Sequence, residues 1–272
     1  MDYTVLEQII AEFFGTTSLL IFGAGVVANV VLKGTKGNNS GWIVIAFGWG
    51  LGVALSVYAI NYITGAHINP AVTFALLVDG QMELGTALGY MAAQLVGAGV
   101  GSALIFYMYY PHFTAEEDPG TKLAVFSTGP AIRHTPSNFF SEVLGTFMLL
   151  FGIQGIFAAG NGVGGDLGPL LVGLLVTVIG LTLGGSSGYA IDPARELGPR
   201  IAHFLLPIPG KGSSDWNYSW IPVVGPLVGG ALGLLSYHAI FSGAELGTLF
   251  IMLAVFVVLQ AATFFIKLDG QA

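Results

Sequence analysis

Cysteine is absent from the 272 residues. That excludes disulfide frameworks, thiol catalysis and Cys-ligated metal centres. Charge is nearly as scarce: Asp, Glu, Lys and Arg together make 8% of the chain, where a soluble domain carries about 25%. Only 8 residues are Lys or Arg and the net charge is −7, so no nucleic-acid partner is expected. No Lys or Arg precedes Lys33, whereas Asp2, Glu7 and Glu12 do. A cleavable signal peptide begins with a basic region, so the first apolar run is expected to be a retained helix. His67 and His203 lack companions at metal-ligand spacing. Gly160-Asn161-Gly162-Val163-Gly164-Gly165 lacks the Lys-Ser/Thr ending of a phosphate loop and reads as a connection. With no Ser-His-Asp arrangement either, neither an enzyme nor a cofactor is expected.

What the chain has is apolar length. Hydrophobic residues make up 54%, and runs long enough to cross a bilayer lie near 9–31, 42–62, 85–108, 139–159, 167–185 and 219–240, with a further one at 246–266. The 41 glycines fall inside these runs beside Ala and Ser, where small residues let helix backbones approach closely. Connections at 33–40, 111–137, 160–165 and 207–215 are rich in Gly, Pro and Asn. Asn38-Asn39-Ser40 and Asn217-Tyr218-Ser219 fit the glycosylation pattern, and chance accounts for both. The composition predicts an all-α polytopic membrane protein.

Two short signatures interrupt this pattern. Asn69-Pro70-Ala71 and Asp192-Pro193-Ala194 lie in opposite halves, about 123 positions apart. Asx followed by Pro starts a helix: the side chain caps, and Pro suits a first position whose N–H is unpaired anyway. The apolar stretches that follow, roughly 69–78 and 193–205, are too short to cross. They predict two re-entrant half-helices. The halves also repeat. Ala11-Glu12-Phe13-Phe14-Gly15-Thr16 matches Ser141-Glu142-Val143-Leu144-Gly145-Thr146, and Gly97-Ala98-Gly99-Val100-Gly101 has an echo in Gly225-Pro226-Leu227-Val228-Gly229. Each half reads as span, span, half-helix, span. Three crossings per repeat is an odd number, so the second copy is inverted and the half-helices face each other across an axial pathway.

Glu12 and Glu142 occupy matched positions at the start of spans. They are read as braces that accept hydrogen bonds from the non-helical backbone before each half-helix; the alternative is an interfacial pair that snorkels. His67, in the first lead-in, is either a hydrogen-bonded structural histidine or a proton-linked gate. Arg195 falls in the first turn of a half-helix, where the positive dipole end disfavours a cation. A placement that costs helix stability suggests a role at a constriction, donating fixed hydrogen bonds and repelling cations. The alternative is a loop arginine at the lipid surface.

The Gly65-Ala66-His67-Ile68-Asn69-Pro70-Ala71-Val72-Thr73 block, the Asp192-Pro193-Ala194-Arg195 block, Glu12 and Glu142, in this order, resemble the major intrinsic proteins, the aquaporins and glycerol facilitators. The likeness reaches to about residue 240. It implies six tilted membrane helices, two half-helices, one pore per subunit, a homotetramer in the cell membrane and passive conduction. The channel domain is then 1–243, with repeats at about 1–110 and 138–240, and 244–272 is an extra hydrophobic segment. The family's selectivity filter maps to Trp49, Gly180, Tyr189 and Arg195. Gly180 stands where water-selective members carry histidine and is expected to leave room beside an apolar corner made by Trp49 and Tyr189. Gly48-Trp49-Gly50-Leu51-Gly52-Val53-Ala54, Glu196, Arg200, Pro226 and Leu227 resemble the glycerol-conducting branch, although glutamate at 196 replaces the more usual aspartate. Backbone carbonyls of Gly65, Ala66, His67, Gly188, Tyr189 and Ala190 are expected to line one wall, opposite Val53 and Val176. The implied permeants are glycerol and similar neutral solutes, with water. Urea, dihydroxyacetone, protonated lactic acid or mainly water are alternatives, and a proton-coupled transporter using Asp192 and His67 is the alternative of a different class.

Three features depart from this pattern. Asp192 replaces the family's asparagine; it caps equally well but, when ionised, lacks the amide donor. The run 246–266, bracketed by Glu245 and Lys267, is long enough for a seventh span. With the N-terminus inside, Lys33, Lys36, Lys122, Arg133, Arg200 and Lys211 fall outside, and Asp79, Glu83 and Asp166 near the cytoplasm. The positive-inside rule gives the reverse; the resemblance sets the orientation here.

Overall fold

A computed structural model describes residues 3–244 and 246–268, so Glu245 lies outside the described residues. The first repeat holds α1 (Val5–Val31), α2 (Trp42–Thr64), the short α3 (Pro70–Val78) and α4 (Leu84–Met108). A connector carries α5 (Tyr110–Ala115) and α6 (Pro119–Ala124). The second repeat holds α7 (Thr135–Phe157), α8 (Gly168–Thr182), the short α9 (Pro193–Leu205) and α10 (Ile221–Tyr237), and α11 (Gly247–Thr263) follows. Among the described residues there is no strand. Among the described residues, five helices, α1, α2, α4, α7 and α10 with its π-helical extension to Ser242, are long and apolar enough to cross a bilayer; α8 and α11 are apolar but shorter.

The packing follows the repeat. Helix α1 lies against α2 and α4, as α7 lies against α8 and α10. Between the repeats, α2 meets α8, α3 packs on α10 and α9 packs on α4. Each half-helix is therefore held chiefly by the other half of the molecule or by its closing helix. Glycine permits the tight crossings. A Cβ at Gly97 would sit 2.5 Å from the Phe13 carbonyl oxygen, and one at Gly229 would sit 2.2 Å from that of Val143. Because Phe13 and Val143 are matched positions, Gly97 corresponds in packing to Gly229 and not to Gly225, four residues from the sequence echo, and each lets a repeat's closing helix touch the backbone of its opening helix. Outward residues such as Ile43, Leu55, Leu88 and Val178 are apolar and exposed, as a lipid-facing surface requires.

Two elements differ from the sequence expectation. The fifth span, expected over 167–185, is helical only over 15 residues, about 22 Å at 1.5 Å per residue. Beyond Thr182 the chain turns through Leu183–Ser187, which delivers the Ser187 hydroxyl to Glu142. The connector 111–137, expected as a plain loop, contains the six-residue α5 and α6. Helices of one and a half turns leave no readable periodicity, and α6 depends on Asp118 accepting from the Gly120 and Thr121 backbone N–H groups.

Candidate pore

Both half-helices begin as the signatures imply. The Asn69 Oδ1 accepts from Ala71 N at 2.8 Å. The Asp192 Oδ1 accepts from Ala194 N at 2.8 Å and Arg195 N at 3.1 Å. Pro70 and Pro193 open the two helices, and with Ala71 and Ala194 they are buried helix-start residues.

The lead-ins into these caps match residue for residue. Gly65, Ala66 and Ile68 have φ of 78°, 52° and 43°; Gly188, Tyr189 and Ile191 have 87°, 41° and 44°. Left-handed backbone costs a non-glycine residue about 1–2 kcal/mol, so each lead-in needs something to hold it. On one side, Glu12 Oε1 accepts from Thr64 Oγ1 (2.6 Å) and His67 N (2.9 Å), and Oε2 accepts from Ile68 N (2.7 Å) and Gln94 Nε2 (2.8 Å). On the other, Glu142 Oε1 accepts from Ser187 Oγ (2.6 Å) and Ala190 N (3.1 Å), and Oε2 from Ile191 N (3.0 Å). Both carboxylates are fully buried behind the lead-ins and outside the cavity lining.

Between the half-helices runs a cavity of about 110 Å³. Its lining includes the lead-in and cap residues Gly65, Ala66, His67, Ile68, Asn69, Tyr189, Ala190, Ile191, Asp192 and Arg195 together with the aliphatic residues Val53, Val57, Leu149, Ile153, Val172 and Val176. Trp49 also lines it, and the Arg195 guanidinium carbon lies 4.3 Å from the centroid of the Trp49 ring. That is a cation–π contact. An Arg195 Nη1 donates to the Phe126 carbonyl at 3.4 Å. His67 donates or accepts through Nδ1 with Thr73 Oγ1 at 2.9 Å and packs edge-on against Tyr90 with 5.1 Å between centroids.

Gly180 and Gly188 are not among the residues that line the cavity. A Cβ at Gly180 would lie 2.7 Å from Tyr189 Cζ, and one at Gly184 would lie 2.5 Å from Tyr189 Cδ1. The space that Gly180 leaves is filled by the Tyr189 ring. Trp42 completes this packing, donating from Nε1 to the Gly180 carbonyl at 2.9 Å and meeting Tyr189 edge-on. Sequence reasoning missed Trp42; an indole at the start of a span was its only signal. Gly188 instead faces Thr128, whose side chain would be 3.1 Å from an added Cβ.

A second group missed as a structure is the Glu196–Arg200 pair. Both side chains are fully buried and paired within one turn of α9. Glu196 Oε2 accepts from Thr128 N and Oγ1, each at 2.8 Å. Arg200 donates to the carbonyls of Thr128 (3.0 Å), Ser214 (2.5 Å) and Asp215 (2.9 Å). The pair fastens two loops over α9, one of them the loop whose Phe126 carbonyl receives Arg195.

The comparisons with known proteins agree with this geometry. The family described as Major intrinsic protein matches residues 1–237. The chain is 56% identical over 232 residues to a probable glycerol uptake facilitator protein of Thermotoga maritima, covering 85% of this chain and 98% of that one. It is 52% identical over 247 residues to the glycerol uptake facilitator protein of Bacillus subtilis, covering 91% and 89%. Among solved structures, the aquaglyceroporin from Plasmodium falciparum superimposes with a TM-score of 0.75 at 29% identity, covering 86% of this chain and 96% of that one. An inverted repeat, two capped half-helices whose lead-ins line one cavity, and a family match through the last helix of the second repeat all converge: the chain belongs to the major intrinsic protein family.

Proposed function

We propose that this protein is a passive channel for glycerol and other small uncharged solutes, with water as a co-permeant, acting as a homotetramer in the plasma membrane with one pore per subunit. The observation that carries the reading is the mixed lining of the cavity, lead-in backbone together with aliphatic side chains. Part of it is lead-in backbone whose N–H groups at His67, Ile68, Ala190 and Ile191 are turned to the buried glutamates, which leaves the carbonyls for the pore. Much of the remaining lining is valine, leucine and isoleucine. A polyol has hydroxyls along one edge and CH groups along the other, so it exchanges water for carbonyls on one side and buries carbon on the other. At the narrow end, Arg195 donates to hydroxyl oxygens while Trp49 and the Tyr189 ring receive the carbon edge. The guanidinium, together with the positive ends of α3 and α9, opposes cations. The relatives named as glycerol facilitators cover nearly their whole length with this chain, which supports glycerol as the solute. Stopped-flow light scattering of proteoliposomes tests the reading: glycerol-driven swelling well above empty liposomes is expected. Swelling with water alone would remove glycerol from the proposal, and uphill accumulation under a proton gradient would replace the passive channel with a coupled transporter.

A further inference from the structure

The family match ends at residue 237, where α10 ends, so α11 is an addition to the channel. We infer that α11 is a seventh membrane crossing, antiparallel to α7, which carries Lys267 to the filter side of the bilayer, opposite the start of α1. Three observations support it. First, α11 packs on α7 and α10 in one register. The Phe256 and Phe140 rings are 6.4 Å apart, and Gln260 Nε2 donates to the Pro136 carbonyl at 3.1 Å. Four residues forward on α11 are thus four residues back on α7, so the end of α11 reaches the start of α7. Second, its packed face is one stripe, Leu249, Met252, Phe256, Leu259 and Thr263, at helical spacing. The outward face, including Phe250, Ile251, Val257 and Val258, is exposed and apolar. A helix apolar on all sides belongs in lipid. Third, Gly247–Thr263 contains no charged residue, and its 17 residues extend about 25 Å. Phe264-Phe265-Ile266 continues the apolar stretch toward the roughly 30 Å of a hydrocarbon core.

The sides are identified by contacts. Trp42, at the start of α2, meets Tyr189, so the α1–α2 connection with Lys36 is on the filter side. Tyr58 Oη donates to the Asp166 carbonyl at 2.6 Å, and Asp166 precedes α8 on the opposite side. Because the chain has no cysteine, single substitutions report position without background. Lys36→Cys, Asp166→Cys, Ala244→Cys and Lys267→Cys, all at exposed positions, would be treated with a membrane-impermeant maleimide in right-side-out and inverted vesicles. Each variant is first required to sediment and conduct as the parent does. Lys267→Cys is expected to label from the same side as Lys36→Cys, and Ala244→Cys from the same side as Asp166→Cys. Labelling of Lys267→Cys from the Asp166 side, alone or in addition, overturns the inference and places α11 along the membrane surface.

Discussion

The two half-helices perform the same geometric task with different chemistry. Around α3 neutral side chains gather on one carboxylate: Glu12 is joined by Gln94, which also donates to Thr73 at 3.1 Å, and Thr73 holds His67. Asn69 Nδ2 reaches across to the Ile191 carbonyl at 2.8 Å, tying the first half-helix to the second lead-in. Around α9 the contacts are ionic and outward. The position matching Thr73 is Glu196, paired with Arg200 and fastened to Thr128, and the cap is a carboxylate with no amide to reach back. At its far end, Lys211 Nζ donates to the carbonyls of His203, Phe204 and Leu206 at 2.6–2.8 Å, where a cation complements the helix C-terminus. The α3 end has Asp79 beside His238 instead, at 3.0 Å. Repeat symmetry is thus kept where backbone must be held and dropped where α9 is fastened to its covering loops.

Four experiments would break or sharpen that contrast. The largest effect is expected from Glu196→Gln. It leaves the buried Arg200 without its counter-charge, and removing one partner of such a pair costs about 3–5 kcal/mol. Thermal unfolding in detergent should show the loss, and Arg195, dependent on the same loop, should lose glycerol-over-water preference. Thr73→Val in α3, which removes no charge, should cost clearly less; equal losses would erase the distinction.

Next come Glu12→Gln and Glu142→Gln. Each places an amide donor against backbone N–H groups and leaves buried donors unsatisfied, at about 1–3 kcal/mol apiece. Glycerol flux should fall severalfold or more in both. Glu12 has Gln94 as an added partner, so an unaffected Glu142→Gln would contradict equal bracing.

Asp192→Asn probes the caps directly. Capping is retained, so the change in melting temperature should be small and glycerol flux should stay within about threefold, roughly 0.6 kcal/mol. Abolished flux would show that the carboxylate itself is needed for conduction. The smallest effect is expected from Lys211→Met, which removes a C-terminal cation worth about 0.3–1 kcal/mol. It should lower thermal stability slightly with solute preference unchanged.

The caps, the braces and the repeat were legible because each depends on residue type at a fixed offset: Asx before Pro, a carboxylate at one place in each half, glycines at each closing helix. What occupies the space beside Gly180 was not legible, because the direction of the Tyr189 ring depends on a positive φ and on Trp42 packing from another helix. The surroundings of the charges were illegible for a related reason. Lys122 donates to the Pro209 carbonyl, Arg133 pairs with Asp215, Arg200 is sealed against Glu196 and Lys211 caps α9. With Lys33 beside Glu116 and Glu117 at 3.8 and 3.9 Å, five of the six cations that the resemblance places outside are engaged within the fold, which a count of Lys and Arg along the chain does not register.

By itself, the sequence determined that the chain is membrane-embedded, duplicated and built around two capped half-helices, because apolar run length and capping chemistry are local properties. Only the tertiary structure decided what faces the pore, since that depends on how Tyr189 fills the space above Gly180 and how Glu196 and Arg200 hold a distant loop beside Arg195. Those contacts join segments far apart in the chain, and no local pattern specifies them.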